Sequence, residues 1–193
     1  MDICIFGASG RQLDKSYYDA AYELGEAIAA QGDRIVFGGG AEGLMGACAR
    51  GAHKNGGGIV GIAPRFFDEP GILYKSCTEL IFTETMRERK QLMQERSSAC
   101  IVLPGGIGTL EEFFEILTLK QLGQDDRAIV LLNTNGCWNT MLRMLSELAD
   151  ERFMSKSCLE LYFVADTPRQ ALEYLAGYTP STGSVHRLED YNK

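Results

Sequence analysis

Residues 99–119 read ACIVLPGGIGTLEEFFEILTL and contain the three parts of one folding unit. The first five residues form a continuous apolar run with two β-branched members, which is typical of a strand buried on both faces of a sheet. A glycine-rich turn follows at residues 104–109, and apolar residues then return at helical spacing. A strand, a glycine-rich turn and a helix in this order indicate one βαβ unit of a parallel sheet.

The same alternation extends along the chain of 193 residues, a length that predicts one domain. We predict strands at 3–6, 34–37, 58–62, 79–82, 99–103, 128–132 and 160–164, and helices near 16–31, 44–54, 85–96, 109–122, 137–152 and 168–175. Right-handed crossovers between parallel strands place helices on both sides of the sheet. The sequence therefore predicts an α/β fold, a doubly wound Rossmann-like parallel sheet with helices on both faces. The domain spans residues 1–176, and a polar tail follows at 177–193.

Composition argues against several classes of partner. The 19 basic and 26 acidic residues leave a net charge of −7, which disfavours broad binding to nucleic acid or to anionic membranes. We find no apolar run of membrane-spanning length and no basic region ahead of an apolar core at the N-terminus. The six cysteines form no CxxC pair, and neither histidine has a ligand partner at zinc spacing. We expect reduced thiols in a cytoplasmic protein, and no metal site.

Three glycine-rich turns, at residues 7–10, 38–43 and 105–109, follow predicted strands. Ligands of open α/β sheets bind beyond the carboxyl ends of the strands, where these turns lie. None of the turns matches a GxGxxG dinucleotide fingerprint with its distant acidic residue, or a P-loop. The third turn offers free backbone N–H groups at a helix start beside the Thr109 hydroxyl, which favours phosphate binding over a purely geometric turn. The irregular stretch 63–75 is predicted to form a loop over this site.

Two charged residues are predicted to turn away from solvent. At 100° per residue, Glu112 falls on the flank of the apolar arc of its helix, whereas Glu111 and Glu115 point outward. A partly desolvated carboxylate in a first helical turn is a catalytic candidate. Arg89 has apolar residues three and four positions further along, so we expect it to lean toward the sheet. On charge pattern alone, the run 85–93 would be an ordinary solvated face.

Together these residues resemble the Lonely Guy family of cytokinin riboside 5′-monophosphate phosphoribohydrolases, whose members are often labelled lysine decarboxylases. The family pattern PGGxGTxxE stands at residues 104–112 as PGGIGTLEE, and the pair Arg89-Lys90 lies upstream. The run GGGAEGLMG at 38–46 adds to the match, which covers the chain from residue 3 to about 163.

The resemblance implies hydrolysis of the N-glycosidic bond of a cytokinin-type or adenine nucleoside 5′-monophosphate to the free base and ribose 5-phosphate. It implies Arg89 and Glu112 as the catalytic pair. Substrate binding is assigned to Gly39, Gly40, Met86, Lys90, Gly105, Gly106, Gly108, Thr109, Glu111 and Thr118, although the helical wheel does not aim Thr118 at the site. The resemblance also implies AMP or an N6-substituted AMP as the partner, a homodimer with sites near the subunit interface, and neither a metal nor an organic cofactor.

Departures from the family pattern leave the base preference open. Thr85-Met86-Arg87 stands where the family commonly has Asp-Met-His, and Leu119-Lys120-Gln121 stands where Trp-Ala-Gln is usual. Arg87 or Lys120 is therefore a candidate for changing the base pocket or the subunit contact beside it.

Two other functions compete with the hydrolase. A non-catalytic carrier of a phosphate ligand, such as a molybdenum-cofactor carrier, would use the glycine turns but would need neither Arg89 nor Glu112. A true lysine decarboxylase would hold pyridoxal phosphate on a lysine, and Lys90 is the one suggestive candidate.

Overall fold

The computed structural model describes residues 1–180, and within this range seven strands form one sheet that carries six α-helices. The strands are β1 (Asp2–Phe6), β2 (Arg34–Phe37), β3 (Gly58–Pro64), β4 (Glu79–Thr83), β5 (Ala99–Val102), β6 (Ala128–Leu132) and β7 (Phe163–Ala165). The helices are α1 (Lys15–Ala30), α2 (Gly43–Lys54), α3 (Met86–Glu95), α4 (Ile107–Gln121), α5 (Asn139–Asp150) and α6 (Pro168–Gly177). No helix in this range is long and apolar enough to cross a lipid bilayer.

The strand order explains where a ligand site can form. The order is β4-β3-β2-β1-β5-β6-β7, and every neighbouring pair is parallel. The chain builds the sheet in one direction from β1 to β4 and then in the other from β5 to β7, so the order reverses between β1 and β5. This arrangement confirms the predicted doubly wound sheet. Ligands in such sheets bind at the reversal, beyond the carboxyl ends of the strands.

Alternating residues of the central strands form two buried layers. Ile3 and Ile5 pack with α1, α2 and α6 on one face, whereas Cys4 and Phe6 pack with α3, α4 and α5 on the other. This follows from the two-residue period of a strand, which sends successive side chains to opposite faces. The helices on both faces confirm the expectation from the crossovers.

The last strand begins later than predicted. We predicted a strand at 160–164, but residues Lys156–Glu160 form a 3₁₀ helix and β7 starts at Phe163. The 3₁₀ helix and the residue that follows it bury Cys158 and Leu161 in the core. Because β7 is an edge strand, a longer strand here would gain hydrogen bonds on one side only. The burial of Cys158 and Leu161 therefore outweighs the β propensity of residues 160–162.

The predicted polar tail is described in its first residues only. Gly177 is the last residue of α6, and the Tyr178 hydroxyl donates a hydrogen bond to the carbonyl of Asp126 at 2.7 Å. The remainder of the tail, from residue 181 to 193, lies outside the described residues.

Candidate active site

A cavity of about 710 Å³ opens where the strand order reverses. Its walls are residues 7–11 after β1, the glycine turn after β2, the segment 67–73 and the first turn of α4. The segment 67–73 is held against the glycine turn, since the N–H of Ala41 donates to the carbonyl of Ile72 at 2.9 Å. The long irregular stretch therefore borders the site, as the sequence predicted.

The loop after β1 is fixed between the starts of two helices. The N–H of Ala8 donates to the carbonyl of Pro104 at 3.0 Å, and the carbonyl of Ala8 accepts from the N–H of Leu44 at 2.8 Å. Gly43 has a φ of +64°, and a Cβ atom there would lie 2.1 Å from the carbonyl oxygen of Ala8. Glycine is thus required at this position both by its left-handed conformation and by the close approach of the loop.

The N-terminus of α4 faces the cavity with unpaired backbone donors. Its first helical hydrogen bond runs from the N–H of Leu110 to the carbonyl of Gly106 at 3.0 Å, and no side chain among residues 1–180 caps the helix. With respect to these residues, the preceding N–H groups, of residues 107–109, are therefore free for a ligand. Together with the helix dipole they form a site suited to an anion such as phosphate.

Arg89 and Glu112 form a buried ion pair in the cavity wall. The Arg89 Nη1 atom lies 3.1 Å from Glu112 Oε1, and the two side chains are 6% and 10% exposed. The Arg89 Nε atom also donates to the carbonyl of Ile62 at 3.3 Å. These contacts confirm that both charged groups turn inward, as the helical periodicity predicted.

Local sequence explains the inward direction of Arg89. Thr85 and Glu88 form a capping box that begins α3, and Met93, one turn after Arg89, is fully buried on the same face. Gly38 supplies the necessary space, because a Cβ atom there would lie 2.0 Å from Arg89 Nη2. The glycine after β2 therefore lets the guanidinium lie against the end of the sheet.

Burial changes the acidity of Glu112. The loss of solvent raises the pKa of this carboxyl above its ordinary value, and the nearby Arg89 guanidinium opposes that rise without cancelling it. A carboxyl group with a raised pKa beside a cation in a cavity is typical of general acid–base sites.

The structure brings together some of the predicted site residues and separates others. The residues in the cavity wall are Gly40, Met86, Arg89, Gly106, Gly108, Thr109 and Glu112. Gly39, Lys90, Gly105, Glu111 and Thr118 lie outside it, and a binding role for them stays a prediction.

Lys90 illustrates the separation. Its Nζ atom pairs with the carboxylates of Glu111 and Glu115, and the distance to Glu115 is 2.9 Å. The Thr118 hydroxyl donates to the carbonyl of Phe114 at 2.7 Å, within its own helix. Neither side chain contributes an atom to the cavity wall.

Several residues of the wall were not identified from the sequence. Arg11 and Glu42 add two charges, and Met45, Phe67 and Ile72 add apolar surface. Arg11 directly follows a predicted glycine-rich turn, and Glu42 and Met45 lie within the glycine-rich run 38–46. Their position beside these turns is the sequence feature that could have identified them as residues of the site.

The departures at Arg87 and Lys120 do not reach the cavity. The Lys120 Nζ atom donates to the carbonyl of Arg127 at 2.7 Å and to the Tyr178 hydroxyl at 2.9 Å, near the far end of α4. The Lys120 ammonium is therefore held away from this cavity, and an effect of Lys120 on the base preference or on a subunit contact stays a prediction. Arg87 is exposed on α3.

We also looked among the described residues for side chains that could bind a metal ion and for a lysine in the cavity wall that could form a Schiff base. Within residues 1–180, no three His, Cys, Asp or Glu side chains cluster closely enough to hold a metal ion. Of the described residues that line the cavity, none is a lysine.

The sequence of this chain is similar to a known protein family and to several named proteins. A family model described as "Possible lysine decarboxylase" matches residues 45–175. A Mycobacterium marinum protein named cytokinin riboside 5′-monophosphate phosphoribohydrolase is 40% identical over 158 residues, covering 82% of this chain and 84% of its own length. An Arabidopsis thaliana protein of the same name is 35% identical, covering 92% of this chain and 83% of its own length.

Solved structures support the fold. The molybdenum cofactor binding protein from Rippkaea orientalis matches with a TM-score of 0.70 at 24% identity, covering 91% of this chain and 94% of its own. At this identity, the likeness shows a shared fold and carries no statement about activity.

Proposed function

Since this chain belongs to the Lonely Guy family, we propose that it hydrolyses the N-glycosidic bond of a nucleoside 5′-monophosphate. Its relatives in this family are named cytokinin riboside 5′-monophosphate phosphoribohydrolases. The products are a free adenine-type base and ribose 5-phosphate. The observation that carries the proposal is the buried Arg89–Glu112 pair in the wall of a cavity with an anion site at one side.

The cavity offers a distinct surface to each part of such a nucleotide. The 5′-phosphate binds the free N–H groups of residues 107–109 at the start of α4. The base packs on the apolar wall formed by Met45, Phe67, Ile72 and Met86. The ribose then lies between these two surfaces, within reach of Arg89 and Glu112.

The reaction needs stabilisation of positive charge on the sugar. The bond between C1′ and the base nitrogen breaks, its electron pair leaves with the base, and water supplies a hydroxyl group to C1′. The Glu112 carboxylate stabilises the oxocarbenium character and accepts the proton that the water loses, which then passes to the departing base. Arg89 orients Glu112 through its 3.1 Å contact and favours the ionised form of the carboxyl against the effect of burial.

The competing functions find less support in the cavity. A carrier would need no buried Arg89–Glu112 pair, and the likeness to molybdenum cofactor proteins extends to the fold alone. A decarboxylase that uses pyridoxal phosphate would need a lysine at the site. Lys90, the candidate for that role, is bound to Glu111 and Glu115 outside the cavity.

The substrate is tested by chromatographic product analysis with AMP and with isopentenyladenosine monophosphate in parallel. The proposal expects free base and ribose 5-phosphate from at least one of them. Release from the prenylated nucleotide identifies a cytokinin-activating enzyme, and release from AMP alone identifies a general nucleotide glycosidase. Intact nucleotide in both reactions, with folded protein, would favour the carrier function instead.

We also propose a homodimer in the cytoplasm. Large apolar side chains are exposed at and beside the cavity, and we call this set the mouth patch: Phe67, Ile72, Met86 and Ile107, which line the cavity, and Phe66, whose ring contacts that of Phe67. Contact of a second copy with the part of the mouth patch that the bound base leaves exposed, above all Ile107 and Phe66, would remove apolar surface from water. The six cysteines are all free thiols, which supports a reducing compartment.

A further inference from the structure

Arg11 is a second cation at the cavity, separate from the catalytic pair. Its side chain lines the cavity and is 68% exposed. The Nη2 atom lies 3.9 Å from Glu42 Oε1, so the two charges face each other without a hydrogen bond. The pair joins the loop after β1 to the residue that precedes α2.

The backbone beside Arg11 is well anchored. The Tyr18 hydroxyl donates to the carbonyl of Gly10 at 2.9 Å, and Ala8 is hydrogen-bonded to both neighbouring turns. One of those bonds, from Ala8 to Pro104, attaches this loop directly to the turn that leads into α4. The long side chain of Arg11 therefore extends from a fixed loop that lines the same cavity as the N-terminus of α4.

Of the charged side chains that line the cavity within residues 1–180, Arg11 is the cation that can bind an incoming anion. Among the described residues, four charged side chains line it: Arg11, Glu42, Arg89 and Glu112. Arg89 is already bound to Glu112 and to the carbonyl of Ile62. Arg11 has a loose contact with one half-exposed carboxylate, so a phosphate dianion can take it over with little loss.

We propose that Arg11 binds the 5′-phosphate, exchanging Glu42 for it, and thereby makes the site select nucleotides over nucleosides. This inference rests on the proposed hydrolase function and extends it to the group that recognises the phosphate. A guanidinium presents its N–H donors in a planar fork that matches phosphate oxygens, and a hydrogen bond to a charged group is stronger than a neutral one.

The alternative role for Arg11 is purely electrostatic. The guanidinium could neutralise Glu42, whose negative charge otherwise repels an incoming phosphate. The two roles differ when Glu42 is removed. If Arg11 only screens Glu42, it becomes dispensable in a Glu42→Gln background, whereas a phosphate-binding Arg11 remains necessary there.

The test measures kcat and KM for AMP, and for adenosine, in wild type, Arg11→Ala and Arg11→Lys. Arg11→Ala is expected to lower kcat/KM for AMP about tenfold, mainly through KM, and to leave the adenosine value unchanged. Arg11→Lys is expected to retain part of the AMP activity. The matched control is Arg143→Ala, because Arg143 is 71% exposed, lies 3.9 Å from Glu147 and does not line the cavity.

The double variant separates the two roles. Direct contact between Arg11 and the phosphate is supported if Arg11→Ala lowers kcat/KM for AMP by the same factor in the Glu42→Gln background as in wild type. Full recovery in the double variant, or an equal loss for AMP and adenosine, overturns the proposal.

A measurement of equilibrium binding distinguishes failure of the Arg11 proposal from failure of the hydrolase proposal. Calorimetric titration with ribose 5-phosphate reports on the phosphate contact without any turnover. Weaker binding by Arg11→Ala than by wild type supports the contact even if the protein hydrolyses no nucleotide, in which case the hydrolase proposal alone fails. Equal affinities, or no binding to wild type, overturn the role of Arg11.

Discussion

The ionisation of Glu112 depends on two opposing effects of its surroundings. Burial in the cavity wall raises the pKa of its carboxyl, because a charged group is poorly solvated there. The Arg89 guanidinium at 3.1 Å lowers that pKa by favouring the charged form. Since the proposed reaction uses the carboxylate, activity should be present above the raised pKa and be lost as the pH falls through it.

We predict that Arg89→Met raises the pKa of Glu112 further. The substitution removes the strongest favourable charge but keeps an unbranched apolar side chain, so that only the smaller effect of Lys90 then opposes burial. Carbon-13 NMR titration of the Glu112 carboxyl measures the pKa directly, and the acid limb of any residual kcat/KM should move to higher pH. Arg143→Ala serves as the control, and a Glu112 pKa that stays unchanged or falls in Arg89→Met would contradict the account.

Sequence periodicity could predict the direction of single side chains but not their partners. Arg89 and Glu112 were placed inward because a helix turns 100° per residue and both follow an apolar face. The pairing of Lys90 with Glu111 and Glu115 joins two separate helices, so it depends on how those helices pack. Arg11 lies in an irregular loop, where no period exists to indicate direction.

At the scale of elements, the glycine that follows β2 lies directly against the Arg89 side chain of α3. We predict that Gly38→Ala lowers kcat/KM for the nucleotide at least about tenfold, since its Cβ atom would lie 2.0 Å from Arg89 Nη2 and displace the guanidinium from Glu112. Steady-state kinetics measures the loss. The control is Gly177→Ala at the end of α6, where an added Cβ atom meets nothing within 4 Å. Wild-type kinetics in Gly38→Ala would show that the position of Arg89 is not critical.

The packing of α1 on α2 also relies on missing side chains. A Cβ atom on Gly25 would lie 1.9 Å from the carbonyl oxygen of Cys48, and one on Gly51 would lie 2.0 Å from that of Tyr22. We predict that Gly25→Ala reduces the free energy of unfolding by about 1–3 kcal/mol, because the two helices must separate. Urea denaturation measures this change, with the exposed Glu23→Ala on the same helix as the control. Unchanged stability in Gly25→Ala would contradict the close packing.

Element types could be predicted more securely than their ends. The six helices and seven strands follow from apolar periods, whereas α4 begins at Ile107, two residues before the predicted start. Glycine is a poor helix former, so the sequence favoured a later start, yet the early one points three free N–H groups at the cavity. The 3₁₀ helix before β7 depends on core packing that local pattern does not report.

For the whole molecule, the mouth patch predicts self-association. Ile107 is 87% exposed although it lies beside the proposed phosphate site. Light scattering after size exclusion should give a mass of twice 21.3 kDa, and Ile107→Glu should shift the protein toward monomer because a charge would be buried in the interface. Phe153→Glu is the matched control, since Phe153 is 81% exposed and does not line the cavity. A monomeric wild type would contradict the dimer.

Glu112, held by Arg89 at the reversal of the sheet, is the residue that we propose carries the hydrolysis of a nucleoside 5′-monophosphate. The most direct measurement is the rate of free base release by wild type and by Glu112→Gln, with the better of the two nucleotides. Gln keeps the shape and a hydrogen-bond acceptor but removes the charge and the basic oxygen. We expect a rate at least about 100-fold lower in the folded variant. Full turnover by Glu112→Gln would contradict it.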